Sequence, residues 1–106
     1  MTALRIGPEA EVELREAAAW YKERSPEVAR RFLREVRTLT KVVARMPLRF
    51  PVIEGIDIDP PVRRALVAGF PYAMVFIVAD DVVHILAIAH QQRMPGYWRH
   101  RLGRDE

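Results

Sequence analysis

Three side chains that could carry out acid–base chemistry follow the longest apolar part of the chain. His90, Arg93 and Tyr97 come directly after a predicted strand at residues 82–89. Their chemical types could supply a base, a clamp for a phosphate group and a proton donor at one strand end. Polar residues are also common at strand ends, so capping by His90 and packing of Tyr97 on the sheet explain the same pattern. The residue types alone leave both interpretations open.

The C-terminal segment is also basic and aromatic, so it could bind a partner surface without any catalysis. Two further arginines stand at the start of the apolar region, at positions 63 and 64. Trp98 is more readily explained by packing on the sheet than by a reaction. We expect Arg99, Arg101 and Arg104 to be exposed to solvent. The candidate binding residues are Arg63, Arg93, Tyr97, Trp98, Arg99 and Arg101.

The composition limits the class of protein. A length of 106 residues with 50% hydrophobic content fits one domain, residues 1–106, with a substantial core. The absence of cysteine excludes disulfides and cysteine-based metal sites, and it favours a cytoplasmic location. The net charge of +3 permits an anionic partner without requiring one. Asp57 and Asp59 lack a third ligand, so we do not predict a metal site there. We also expect no cofactor.

The second half of the chain predicts three antiparallel strands after a proline-rich loop at residues 47–61. The strands span residues 62–68, 72–78 and 82–89. Short connections, including Asp80-Asp81, make them a meander. The same two aspartates interrupt the apolar window of residues 72–89, so this window is a hairpin rather than a membrane span. The last two strands are apolar on both faces, which predicts that both of their faces are covered.

Two amphipathic helices precede these strands and follow a short strand at residues 2–6. A Gly-Pro pair opens the first helix, residues 8–24. Ser25 as N-cap, with the proline after it, opens the second helix, residues 26–46. Apolar residues at i, i+4 and i+7 predict an antiparallel helical hairpin. The fold class is α+β, with this hairpin packed on a mostly antiparallel four-stranded sheet and a short helical segment at residues 97–102.

Each helix carries a row of charged residues away from its apolar face. The acidic row of the first helix has Trp20 among its members and consists of Glu9, Glu13, Glu16 and Glu23. The basic row of the second helix, found by stepping 100° per residue, consists of Arg30, Arg34, Arg37, Lys41 and Arg45. Both rows are most simply solvated helix faces. The regular basic row could alternatively meet an acidic surface, and an exposed Trp20 indicates a partner-binding surface.

The order of elements and several short motifs resemble a known family. The motifs are AAAWY at residues 17–21, GFPY at 69–72, DD at 80–81 and RMPGYW at 93–98. With Arg63-Arg64 and the apolar strand that ends in His90, they resemble the ParE/RelE superfamily of toxins from bacterial type II toxin–antitoxin systems, the plasmid stabilisation type. The resemblance covers nearly the whole chain. It implies the fold described above, a cognate antitoxin as partner and a toxin–antitoxin hetero-oligomer.

One branch of the superfamily implies catalysis. RelE-like members are ribosome-dependent mRNA endoribonucleases that use several basic residues with a tyrosine or histidine. RNA cleavage by 2′-OH attack needs a base, an acid and positive charge on the scissile phosphate. On this branch the catalytic residues would be Arg64, His90, Arg93 and Tyr97. These nucleases carry an arginine at the start of the third strand, where this chain has Tyr72-Ala73, and the difference argues against catalysis.

The other branch implies binding. ParE-like members bind and inhibit DNA gyrase without a catalytic set, and residues 93–101 together with Arg63 would form the contact surface. Trp20 would contact the antitoxin. A third interpretation is a toxin fold that has lost its activity and only binds an antitoxin. We favour the gyrase-binding branch, leave enzymatic activity undecided with a preference against it, and expect a cytoplasmic protein with no membrane partner.

Overall fold

The computed structural model describes residues 3–102, which form two α-helices and a four-stranded sheet. The elements in chain order are β1 (Ala3–Ile6), α1 (Pro8–Arg24), α2 (Pro26–Arg45), β2 (Arg63–Leu66), β3 (Tyr72–Ala79) and β4 (Val82–His90). Single 3₁₀ turns follow α2 and β4, at Pro47–Arg49 and Arg99–Arg101. The predicted α+β class and the order of elements are confirmed. Thr2 of the predicted first strand lies outside the described residues.

The two helices form an antiparallel hairpin because a single residue joins them. Ser25 has an extended backbone, and its N–H donates to the carbonyl of Tyr21. Its hydroxyl accepts from the N–H of Val28 at 3.3 Å. One residue thus ends α1 and caps α2, while Pro26 occupies the first turn of α2, where its missing N–H costs nothing. Within residues 3–102, neither helix is long and apolar enough to cross a membrane.

The sheet has the strand order β1-β4-β3-β2. β1 pairs with β4 in parallel, whereas β4, β3 and β2 are antiparallel neighbours, as their short connections predict. The turn between β3 and β4 consists of Asp80 and Asp81, whose φ angles are 53° and 63°. A two-residue turn with positive φ at both positions matches the right-handed twist of the strands it joins. The predicted mostly antiparallel sheet is confirmed.

Both faces of the sheet are covered. The helical hairpin covers one face, and the most deeply buried residues of this core include Phe32, Val43, Met74, Phe76 and Ile85. The loop after α2 and the C-terminal segment cover the other face, where the second cluster contains Val62, Val75, Leu86, Ala87 and Trp98. β3 and β4 are therefore buried from both sides. This double burial explains why their sequences are apolar without alternation.

A β-bulge in β4 decides which of its side chains face the helices. The register partners of β3 skip from Ile85 to Ala87, so Leu86 has no partner on that strand. The extra residue shifts the alternation of β4 by one position. Ile88 consequently joins the core under the helices together with Ile85. His90, two positions after Ile88, lies on the same side.

Candidate functional site

The strand β4 loses its outer neighbour halfway along its length. β1 pairs with it only as far as Ile85, and beyond that point side chains replace the missing strand. The carbonyl of Leu86 accepts from Arg101 Nη1 at 2.9 Å. The N–H of Ile88 donates to Glu13 Oε1 at 3.0 Å. These contacts matter because a buried backbone group without a partner costs about 1–3 kcal/mol.

The carboxylate of Glu13 accepts hydrogen bonds from three residues in β4 and the C-terminal segment. Besides the N–H of Ile88, it accepts from the Tyr97 hydroxyl at 2.6 Å and from both terminal nitrogens of Arg101 at 3.0 and 3.1 Å. The side chains of Glu13 and Arg101 are 12% and 9% exposed. A bidentate pair with a third donor is the geometry that offsets the cost of burying two charges. We name Glu13, Tyr97 and Arg101 the carboxylate cluster.

Two expectations from the sequence are wrong at the carboxylate cluster. The sequence places Glu13 in a solvated acidic row and Arg101 among exposed arginines, but both side chains are largely buried. The physical reason is the open edge of β4, which needs polar partners from elsewhere in the chain. The helical period of the sequence does place Glu13 near the buried side of α1. At 100° per residue it lies about 40° from Ala17 and about 60° from Ala10, the two buried residues of α1.

Tyr97 is a neutral hydrogen-bond donor in this cluster. Burial raises the pKa of its hydroxyl above the ordinary value, and the hydrogen bond to Glu13 raises that pKa further. The guanidinium of Arg93 stacks on the ring, with 3.8 Å between Cζ and the ring centroid, and its Nη1 lies 3.9 Å from the carboxylate of Glu13. Because its proton is already shared with a carboxylate, Tyr97 is poorly placed to donate that proton to a substrate.

A groove of about 440 Å³ opens between α1 and the adjoining ends of β3 and β4. Its lining includes Glu13, Trp20, Tyr72, His90 and Arg93. Trp20 is 51% exposed, and the guanidinium of Arg24 lies 3.6 Å from the centroid of its indole. The N–H of Gln92 donates to Nδ1 of His90 at 3.0 Å, which assigns the proton of the neutral imidazole to Nε2. The groove therefore combines an exposed aromatic ring with acidic and basic groups.

The structure brings together some of the residues predicted for RNA cleavage and separates one of them. Arg93 and Tyr97 are in contact, and His90 lines the same groove as Arg93. Arg64 lies elsewhere. Its neighbour Ala65 packs under the helices, so the side chain of Arg64 is on the opposite face of the sheet from His90. These four residues are therefore not assembled into one site.

The residues predicted for partner binding fall into exposed and buried groups. The side chain of Arg93 is 55% exposed, and Arg99 is exposed as expected. Trp98 is 3% exposed and packs in the second cluster, as the packing explanation predicts, so its indole is not accessible to a partner. Arg63 donates to a carbonyl of the preceding loop at 2.7 Å and ties that loop to β2. Arg104 lies outside the described residues.

Comparisons with known proteins show which family this chain is similar to. The family described as ParE toxin of type II toxin-antitoxin system, parDE, matches residues 4–95. A solved structure described as the chromosomal ParDE toxin–antitoxin system from P. aeruginosa superimposes on this chain with a TM-score of 0.71. The alignment covers 85% of this chain and 96% of the other at 19% sequence identity, so it shows a shared fold. No curated protein is significantly similar in sequence.

Replacement of Glu13 by glutamine should destabilise the protein strongly. An amide cannot balance the largely buried charge of Arg101, and breaking a buried pair from one side costs about 3–5 kcal/mol. Glu16→Gln, at an exposed position on the same helix, is the matched control and should change stability by about 0.5 kcal/mol or less. Urea denaturation followed by circular dichroism measures both losses. Equally small losses would show that the pairing of Glu13 contributes little to folding.

The raised pKa of Tyr97 predicts a loss of stability at alkaline pH. An unfolded tyrosine ionises near pH 10.0, whereas folded Tyr97 keeps its proton to higher pH. The stabilisation that Tyr97 gives the folded protein is therefore complete below pH 10.0 and is lost progressively above it. Melting temperatures measured from about pH 8 to 11 should fall less steeply for Tyr97→Phe than for the native protein. Identical slopes in the two proteins would contradict this assignment.

Proposed function

The chain belongs to the ParE toxin family of type II toxin–antitoxin systems, and on this premise we propose that it binds and inhibits DNA gyrase. We further propose that a cognate antitoxin neutralises it within a toxin–antitoxin hetero-oligomer. Gyrase and antitoxins act in the cytoplasm, so this is the compartment in which we place its action. The family supports the toxin and antitoxin roles, and the geometry of the C-terminal segment supports inhibition by binding.

Arg93 and Arg99 are the residues that we propose contact gyrase, with Tyr97 supporting them. Both arginines are exposed, and they lie on a segment that is fastened to the sheet by the buried side chain of Trp98 and the largely buried side chain of Arg101. The guanidinium of Arg93 is oriented by its stacking on Tyr97. A cation that is oriented before binding loses less conformational entropy when a partner arrives. The oriented, exposed guanidinium of Arg93 is the observation on which the gyrase proposal rests.

The alternative, ribosome-dependent cleavage of mRNA, has weaker support. It would require His90, Tyr97, Arg64 and Arg93 to act on one phosphate. Tyr97 shares its proton with Glu13, and Arg64 lies on the opposite sheet face from His90. Losing one charge-stabilising donor costs about 10²–10³ in rate. Inhibition by binding needs none of these alignments, and for this reason we prefer it.

Purified protein should inhibit supercoiling by gyrase and increase gyrase-dependent DNA breaks, while mRNA in a translating extract stays intact. Arg93→Ala should raise the concentration needed for half-inhibition at least tenfold, because interface arginines at binding hot spots contribute about 2 kcal/mol or more. Arg49→Ala removes an exposed arginine from the 3₁₀ turn after α2 and is the matched control, which should inhibit normally. Circular dichroism should show that both variants fold.

Three results would change this proposal. Cleavage of mRNA at codon positions on ribosomes, with supercoiling unaffected, would assign the protein to the RelE-like branch. Inertness in both assays, with retained binding of the antitoxin, would indicate a toxin fold that only binds its antitoxin. An equal loss of inhibition in Arg49→Ala would show that the Arg93→Ala result reflects net charge rather than a contact.

Trp20 is the residue that we propose contacts the antitoxin. It is the exposed aromatic residue at the groove beside α1, and such a groove suits the apolar face of a partner helix. Trp20→Ala should weaken binding of the cognate antitoxin about thirtyfold, the loss expected for an aromatic hot spot of about 2 kcal/mol. Val12→Ala shortens another exposed apolar residue of α1 and should bind normally. Calorimetry measures both affinities, and equal values would remove Trp20 from the interface.

A further inference from the structure

Five basic side chains form a straight row on the outer face of α2. We name this row the basic ridge, and its members are Arg30, Arg34, Arg37, Lys41 and Arg45. At 100° and 1.5 Å per residue, the five positions lie within an arc of about 80° and span about 22 Å along the helix. The arc points away from the core residues Phe32, Val36 and Val43, and all five side chains are exposed. The ridge is therefore one continuous cationic surface.

The charges of the basic ridge have no partners inside the described protein. Within residues 3–102, none of the five side chains makes an ion pair, including with Glu27 and Glu35, the two acidic residues of the same helix. Like charges at i and i+4 on a helix repel one another, and the ridge contains such pairs along its length. Binding of a polyanion would relieve this repulsion, whereas the free protein leaves it to solvent screening.

The net positive charge of the chain is concentrated on the second helix. α2 carries six basic and two acidic residues, a net charge of +4, whereas the chain as a whole carries +3. The neighbouring α1 carries five acidic and three basic residues, so its net charge is of the opposite sign. The protein is therefore only weakly basic overall but strongly basic on one side. A field concentrated in this way attracts anions to one defined surface.

We propose that the basic ridge binds the phosphate backbone of duplex DNA. Four of its five members are arginines, whose planar guanidinium makes paired hydrogen bonds to phosphate oxygens. Over a length of about 22 Å, a duplex carries on the order of ten phosphates on its two strands, at one charge per about 1.7 Å of its axis, which is enough to match the five cations. Contacts of this kind position a protein on DNA without reading its sequence, so the ridge needs no base-reading side chains.

An acidic protein segment is the competing partner, and the ridge fits it less well. Protein interfaces have a well-packed core of apolar and aromatic residues within a polar rim. The arc of the ridge contains no apolar residue, because the exposed Leu33 and Val42 of α2 lie outside it on either side. The ridge is also the convex surface of a helix, and the apolar residues that could anchor a protein partner, Met46 and Leu48, lie beside its last member, Arg45, rather than along it.

This inference goes beyond the proposed inhibition of gyrase and does not depend on it. Gyrase acts on duplex DNA, so a toxin that also touches the phosphate backbone would be held beside its target. The binding of DNA by the isolated protein can be measured without gyrase, and the two proposals therefore succeed or fail separately.

The test measures the binding of a labelled duplex to the full chain by fluorescence anisotropy at several NaCl concentrations. If all five cations contact phosphates, the logarithm of the binding constant should fall against the logarithm of salt concentration with a slope of about −4 to −5. Arg34→Gln and Arg37→Gln should each reduce the magnitude of this slope by about 1. Arg15→Gln and Lys22→Gln remove the same charge from exposed positions on α1 and should leave the slope unchanged.

Circular dichroism of each variant keeps a folding defect from being read as lost DNA binding. The proposal is overturned if the duplex shows no salt-dependent binding. It is also overturned if the α1 variants lose as much slope as the ridge variants, which would reduce the effect to net charge. Tighter binding of an acidic peptide than of a duplex would overturn it as well and assign the ridge to a protein partner. Intact DNA binding without gyrase inhibition would count against the gyrase proposal alone.

Discussion

The largely buried carboxylate of Glu13 holds the C-terminal segment in place on the sheet. It accepts from the open edge of β4, from Tyr97 and from Arg101, so α1, the sheet and the C-terminal segment meet at one group. Removing two opposite charges from water is costly unless their hydrogen-bonding groups are satisfied. Among the described residues, Nε of Arg101 is buried without a partner, so this pair is not optimised for net stability. Its main effect is positional, because it decides where the segment lies.

The need for this carboxylate follows from the topology of the sheet. β1 covers only the first half of β4, because the chain must leave the edge of the sheet to begin α1. The bulge at Leu86 lies where that cover ends, and it turns Ile88 and His90 toward α1. An open strand edge is a template for unwanted pairing with other chains. Here a glutamate from α1 and an arginine from the C-terminal segment close that edge with side chains.

The C-terminal segment shows why a run of basic and aromatic residues is not one surface. Arg93 and Arg99 point outward, whereas Trp98 and Arg101 are internal supports that hold the segment on the sheet. The segment is irregular, so no period in the sequence separates its outward from its inward side chains. The basic row of α2 differs in this respect. In a regular helix, a continuous apolar stripe fixes the direction of all the remaining side chains. The predicted exposure of that row is confirmed.

The elements, their order and the meander were predictable from the sequence, because caps such as Ser25, helical periodicity and an Asp-Asp turn act between near neighbours in the chain. Long-range packing determines which polar residues become largely buried. The partners of Glu13 lie 75 to 88 positions further along the chain. Arg64 and His90 face opposite sides of the sheet because strand register and one bulge set their directions. Burial of a charged group depends on surfaces that long-range packing brings around it, and no local pattern contains that information.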